Sequence, residues 1–212
     1  MPEWVSFLDT KKKNMRLKKG ARFIQEGNPV DGIYFVYSGT VKVHKQWGDK
    51  ELIVRFAHNG AIVGHRGLTT KGSVFPISAT TLEPTVLCFV ERDFFLSTLK
   101  VNTELTHQLM LFYADELKES EQKMYNLVHM TVKHRLASAL IQLQCQFGTT
   151  TSGFINIQLS RQDLAAYIGT TYESLFRMLN DLTSEKAITL DGRQIRIENL
   201  PALSALADTH RM

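Results

Sequence analysis

Between Ser160 and Leu179 the chain reads as two short amphipathic helices separated by one tight turn, a spacing that few folds accommodate. Ser160 with Asp163 three residues on forms a capping-box pattern, and Thr170 with Glu173 repeats it for the second helix. In each case a hydroxyl satisfies an orphan amide and a carboxylate sits where the helix dipole favours negative charge. Leu164 and Ile168 lie one turn apart on the first helix, while Leu175, Met178, Leu179 and Leu182 form an apolar stripe on the second. Small Ala165 suits a close helix crossing, and Gly169 suits the left-handed residue that ends the first helix. Tyr172, Glu173, Phe176 and Arg177 remain outward. The pattern predicts a helix-turn-helix, whose second helix lies in the DNA major groove. Arg can bond guanine bidentately and Glu can accept from cytosine N4, so Arg177 and Glu173 are the candidate base readers. The plainer reading, an intrahelical ion pair worth about 0.2–0.5 kcal/mol, is outweighed inside this pattern.

The flanks extend it. Phe154–Leu159 alternates apolar and polar and is expected to be a strand leading into the motif. Ile188–Leu190, the Asp191-Gly192 turn signal and Arg193–Ile197 predict a hairpin. Strand, two helices and hairpin make a winged helix. Arg193 and Arg196 in the wing are candidates for phosphate contacts, against ordinary surface charge as the alternative. Asn199 with Pro201 suggests a short terminal helix.

The N-terminal half is composed differently. Short β-branched or aromatic runs at 22–24, 32–37, 40–44, 52–56, 61–63, 74–81 and 86–90 are punctuated by Gly27-Asn28-Pro29, Ser38-Gly39, Gly48-Asp49 and Asn59-Gly60. This predicts a compact antiparallel sandwich or roll over about residues 15–95. The basic run Lys11-Lys12-Lys13, with Arg16, Lys18 and Lys19, is expected to be a solvated approach to the first strand.

Between the halves, Leu105, Leu109, Phe112, Tyr113, Leu117, Met124 and Leu127 recur at helical spacing, with no Pro or Gly to interrupt them. Glu116, Lys118, Glu119, Glu121 and Lys123 are expected to keep the other faces polar. A second copy of the chain is the economical partner for so long a stripe, which makes those seven residues a candidate dimer seam. A further helix is expected over Val132–Phe147, with Leu136, Leu140, Ile141 and Leu143 facing its core. The chain thus divides into a β-roll domain at 1–99, a helix and hinge at 100–130, and a DNA-binding domain at 131–212, an α+β fold.

At 43% hydrophobic and 22% charged residues, the 212-residue chain is globular rather than disordered, and its formal charge of +4 is compatible with nucleic acid. No apolar run is long enough to span a bilayer, and Met1-Pro2-Glu3-Trp4 does not begin a leader, so a cytoplasmic protein is expected. Cys88 and Cys145 stand far apart and suggest neither disulfide nor zinc site; each is expected to pack as a small apolar residue. His44, His58 and His65 lack the spacing for a metal, and no nucleophile–base arrangement supports an enzyme. The alternatives are a small-molecule sensor with a vestigial DNA-binding domain and, more remotely, a metal-dependent cupin-like barrel.

Roll, long helix and C-terminal winged helix, in this order and at this length, resemble the Crp/Fnr family of bacterial transcription regulators. The segments carrying the resemblance are Leu159–Ala165 through Arg177-Met178-Leu179, and Gly27, Gly39, Gly60 and Gly64 in the roll. It implies a homodimer formed through the long helix, an effector in a cyclic-nucleotide-binding-like roll, a palindromic site, and RNA polymerase as a further partner. It places Glu173 and Arg177 on the family's base-reading positions and Phe176 on a variable base-facing one. Ser160, Arg161, Gln162, Thr171 and Ser174 fall at phosphates or the groove edge, with Thr170 at the start of the same helix. Tyr172 stands where the cyclic-AMP receptor branch has a further Arg, which leaves the half-site sequence open. The effector segment would comprise Gly64, His65, Arg66, Gly67, Leu68, Ser78 and Ala79. Here His65 replaces the Glu that takes the ribose hydroxyl, and Ile77 replaces the Arg that takes the cyclic phosphate, so a cyclic nucleotide should bind poorly. The oxygen-sensing branch holds an iron–sulfur cluster on N-terminal cysteines; residues 1–30 contain none, and no cofactor is expected.

Overall fold

The computed structural model describes residues 12–69 and 73–208. Lys11, part of the basic run, lies outside them. The chain forms two compact units, divided at Lys118/Glu119.

The first unit is built from two four-stranded antiparallel sheets. One has the order β1 (Lys12–Leu17), β8 (Thr85–Glu91), β3 (Gly32–Ser38), β6 (Ile62–Val63). The other runs β2 (Arg22–Ile24), β7 (Ser78–Thr81), β4 (Val41–Trp47), β5 (Lys50–Ala57). Successive strand residues point to opposite faces, and β3 shows the consequence. Tyr34 and Val36 enter the main core with Ile24, Val41, Val43, Phe75, Ile77 and Leu87, whereas Ile33 joins a second cluster with Ile62, Val90 and Phe95. That second cluster is covered by helices α1 (Arg92–Val101) and α2 (Thr103–His129), whose Phe94, Leu99, Leu109 and Phe112 pack against it.

The basic approach is itself a strand. Lys12–Leu17 pairs with β8 in continuous register from Lys12↔Val90 to Leu17↔Thr85. Met15 and Leu17 pack on the core while Lys13, Asn14 and Arg16 stay exposed. It is the outer strand of its sheet, and exposed lysines on such an edge discourage pairing with other chains. In the run at 74–81 only Ser78–Thr81 is strand; Val74 makes one isolated bridge to Pro29.

The second unit centres on α3 (Val132–Phe147), α4 (Arg161–Ile168), α5 (Tyr172–Ser184), the hairpin β9 (Ile188–Asp191)–β10 (Gln194–Ile197), and α6 (Leu200–Asp208). Leu136, Leu140, Leu143, Leu164, Ile168, Leu175, Leu179 and Leu182 are all buried, the outcome expected from their helical spacing, and Ile188 of β9 and Leu203 of α6 are buried too. Met178 and Ile141 are half-buried at the margin. Asn199 caps α6 through its carboxamide oxygen to the Ala202 amide, and Pro201 occupies the first turn, where no amide is needed.

Two local expectations are corrected. Phe154–Leu159 is not a strand: Ile155 alone bridges, to Thr149, and donates its amide to Ile195 of β10. Ile155 and Leu159 are buried and Asn156 and Gln158 exposed, so the alternation reports burial correctly, but a bend at Asn156 ends the pairing. Cys145 is exposed rather than packed inside, while Cys88 is half-buried.

Candidate nucleic-acid interface

The helix-turn-helix is held by its caps. Ser160 accepts from the Asp163 amide at 3.0 Å and donates to the Asp163 carboxylate at 2.5 Å, a closed box at the start of α4. Gly169, at φ 67 and ψ 52, ends that helix in the left-handed conformation that only glycine adopts without strain. Arg135 of α3, to which sequence pattern assigned no role, fixes the turn. Its guanidinium donates to the carbonyls of Ile168 (2.8 Å), Gly169 (3.1 Å) and Met130 (2.7 Å), satisfying helix-end acceptors that the chain cannot pair itself.

The cap of α5 lies one residue later than expected. Thr171, not Thr170, accepts from the Ser174 amide, at 3.3 Å, and also donates to the Ser174 hydroxyl. Thr170 instead donates its amide to the Ala165 carbonyl, completing the turn after α4. Glu173 therefore occupies the second position of α5. Its own backbone amide and the Thr171 hydroxyl hold its carboxyl below the ordinary range, so it is ionised.

From the first two turns of α5, Tyr172, Glu173, Phe176 and Arg177 are all exposed, with Ser174 half-buried behind them. Arg177 has no ion-pair partner among the described residues and Glu173 none beyond its own cap. An acceptor and a donor fork thus stand four residues apart on one face, neither paired with an opposite charge. Gln162 is exposed at the start of α4. Arg161 is half-buried and donates to the Gly192 carbonyl at 2.8 Å, tying the wing turn to the base of the motif.

The hairpin turn is also displaced by one residue. Asp191 pairs with Gln194, which leaves Gly192 (φ 54) and Arg193 as the two loop residues. Arg193 is accordingly exposed at the tip of the wing. Arg196 is committed elsewhere: it pairs with Glu198 at 2.6 Å and lies over the Phe154 ring, 5.3 Å from its centroid.

In the first unit the segment 64–68 forms a 3-10 turn at His65–Gly67, entered through Gly64 at φ 94. Glu116 of α2, expected on a polar face, is instead buried and gathers two hydrogen-bond donors and one further ion-pair partner. Arg55 Nε stands at 2.9 Å, His65 Nε2 at 2.7 Å and Arg66 Nε at 2.9 Å from its carboxylate oxygens. Burial alone would raise its pKa, but these partners outweigh it and hold the carboxyl at about 2. Tyr113 adds a hydrogen bond to the His65 carbonyl at 2.6 Å, and Phe112 and Tyr113 meet the imidazole edge-on. Ser78 accepts from the Glu26 amide at 3.0 Å, and Ala79 is fully buried. Gly67 is needed where it stands, because a Cβ there would lie 2.4 Å from Val30. His65, Arg66 and Ser78 are thus engaged within the domain itself.

The expected dimer seam divides. Leu109, Phe112 and Tyr113 face their own roll, and Leu105 and Leu127 are half-buried. Leu117 and Met124, with Met110, are 61%, 58% and 59% exposed and recur at seven-residue intervals, followed by exposed Val128. Leucines and aromatics at helical spacing do not reveal which of two apolar stripes is covered from within.

A two-sheet roll joined through a long helix to a winged helix with an exposed, charged helix face defines a class: DNA-binding transcription regulators that carry a sensor domain. Residues 14–102 match the cyclic nucleotide-binding domain, and residues 134–206 match the Crp-like helix-turn-helix domain. Among curated proteins, the chain is 30% identical over 192 residues to the anaerobic regulatory protein of Bacillus subtilis, covering 89% of this chain and 79% of that one. It is 28% identical to the transcriptional activator protein FnrA of Stutzerimonas stutzeri, over 94% of this chain and 82% of the relative. The solved structure of FixK2 from Bradyrhizobium japonicum has the same fold, with a TM-score of 0.81 at 24% identity over 92% of this chain and 96% of that one. The chain belongs to the Crp/Fnr family of transcription regulators. Among the described residues no helix is long and apolar enough to cross a membrane.

Proposed function

We propose that this chain is a homodimeric regulator that reads a palindromic DNA site with α5, under control of a ligand other than a cyclic nucleotide or of none. The observation that carries the reading is the pair Glu173 and Arg177, both exposed and without an opposite charge beside them on a helix fixed by Thr171, Gly169 and Arg135. Any catalytic role is left out of it, since relatives named for a function are regulators. Arg177 reads a guanine through its N7 and O6, and Glu173 accepts from a cytosine amino group nearby. Ser160, Gln162, Thr170, Thr171 and Ser174 line the groove edge, and Arg193 at the wing tip meets a phosphate. Contact with RNA polymerase belongs to the same reading.

Two copies associate along Met110, Leu117, Met124 and Val128, whose seven- and four-residue spacing suits a coiled-coil seam. Two arguments stand against a cyclic nucleotide. Arg66 and His65 are spent on Glu116, and Ile77 lies in the apolar core where a phosphate would need a guanidinium. Selection of bound fragments from random duplex DNA tests the whole. An enriched palindrome with half-site centres about one helical turn apart supports dimer and reader together. Material that stays monomeric and enriches no sequence in low salt, with or without candidate ligands, refutes it.

A further inference from the structure

The recognition helix carries two ribbons. Residues four apart stack on one line of a helix, so Glu173 and Arg177 form a charged line and Tyr172 and Phe176 an apolar one beside it. The aromatic rings are 48% and 51% exposed, a large apolar area to leave in water on a helix whose leucines are all buried. They also lie side by side: their centroids are 6.5 Å apart and their planes differ by 12°, a parallel offset arrangement at the long end of the range for paired rings.

We infer that Tyr172 and Phe176 read thymine C5-methyl groups next to the base pair taken by Glu173 and Arg177. The inference rests on the DNA-binding reading above and adds to it the chemistry of the neighbouring positions. The thymine methyl is the one apolar group that the major-groove edges of the bases present. One helical turn of protein rises about 5.4 Å and one base step about 3.4 Å, so the aromatic line spans one to two steps. Phe176 has no polar atom with which to prefer any other base edge. Tyr172 packs against it from the N-terminal side, leaving Phe176 poised one turn further along the helix.

The test uses the full-length protein and the duplex selected from random DNA, with each thymine in a half-site replaced singly by deoxyuridine, which removes only the methyl. Wild type should lose affinity about fourfold at one or two thymines beside the Glu173/Arg177 base pair, the effect of burying one methyl. Phe176→Ala should bind thymine and uracil versions alike there, and Phe176→Leu, which keeps an apolar side chain, should retain part of the difference. Phe176 is half-exposed, so neither replacement removes core packing. The inference is overturned if wild type is indifferent to every uracil while still rejecting changes at the Arg177 base pair. Full sensitivity in Phe176→Ala overturns it too. An empty selection, with no enriched sequence, sinks the DNA-binding reading itself and this inference with it.

Discussion

Glu116→Gln isolates what the buried cluster does for the roll. The replacement has the same shape, but one oxygen becomes a donor and the charge vanishes. Arg55, His65 and Arg66 then share one neutral acceptor in place of a carboxylate that each meets at 2.7–2.9 Å. Removing one partner of a buried ion pair costs about 3–5 kcal/mol. The Arg55 and Arg66 side chains keep 19% and 27% of their surface in water and recover some hydration, which puts the loss near about 3 kcal/mol. For a unit the size of the roll that lowers its unfolding temperature by roughly 12 °C. Calorimetry measures it, with hydrogen exchange at Ile33 and Val63 assigning the transition to the roll. The sign with pH follows from the depressed carboxyl, which sits at about 2 against an ordinary 4.5. Its stabilisation is complete above about pH 4.5 and is lost as pH falls toward 2, so the gap between wild type and Glu116→Gln closes over that window. A variant within about 0.5 kcal/mol of wild type at pH 7, or a gap that ignores acid, would refute the reasoning.

Thr171→Ala should destabilise the second unit by about 1 kcal/mol in urea denaturation, while Thr170→Ala, which leaves the α5 cap intact, should cost clearly less. Arg193→Ala should weaken binding to every duplex by a similar factor and reduce the slope of log affinity against log salt by about one; a loss confined to one sequence would assign it a base instead. Leu117→Asp with Met124→Asp should convert dimer to monomer in analytical ultracentrifugation without lowering the melting temperature of the roll, since both side chains are exposed on its free stripe.

The second unit was largely legible in the sequence because its rules are local. A hydroxyl followed by a carboxylate, one glycine and a leucine stripe locate α4 and α5, and the Val132–Phe147 helix matches its expected limits. What local rules left open is small. Adjacent threonines offer two registers for one cap, and Thr171 takes it; Asp191-Gly192 offers two placements of a two-residue turn, and Gly192-Arg193 is the one formed. Non-local facts were not legible. A lysine-rich strand looks like solvated charge until β8 supplies its partner, and Phe154–Leu159 looks like a strand although no ladder forms along it. Glu116 reads as surface because nothing within a turn of it shows that Arg55, His65 and Arg66, all far away in sequence, converge there. Arg135 hides for the same reason, since the carbonyls it serves belong to other segments.

The most direct measurement is the affinity of wild type and Arg177→Ala, by fluorescence anisotropy, for the selected duplex and for versions with one G·C pair exchanged in each half-site. The account predicts that Arg177→Ala loses roughly 1–3 kcal/mol on the selected duplex and almost nothing further once its guanine has been replaced. Equal losses on every duplex, or none on any, would contradict the assignment of Arg177 as a base reader.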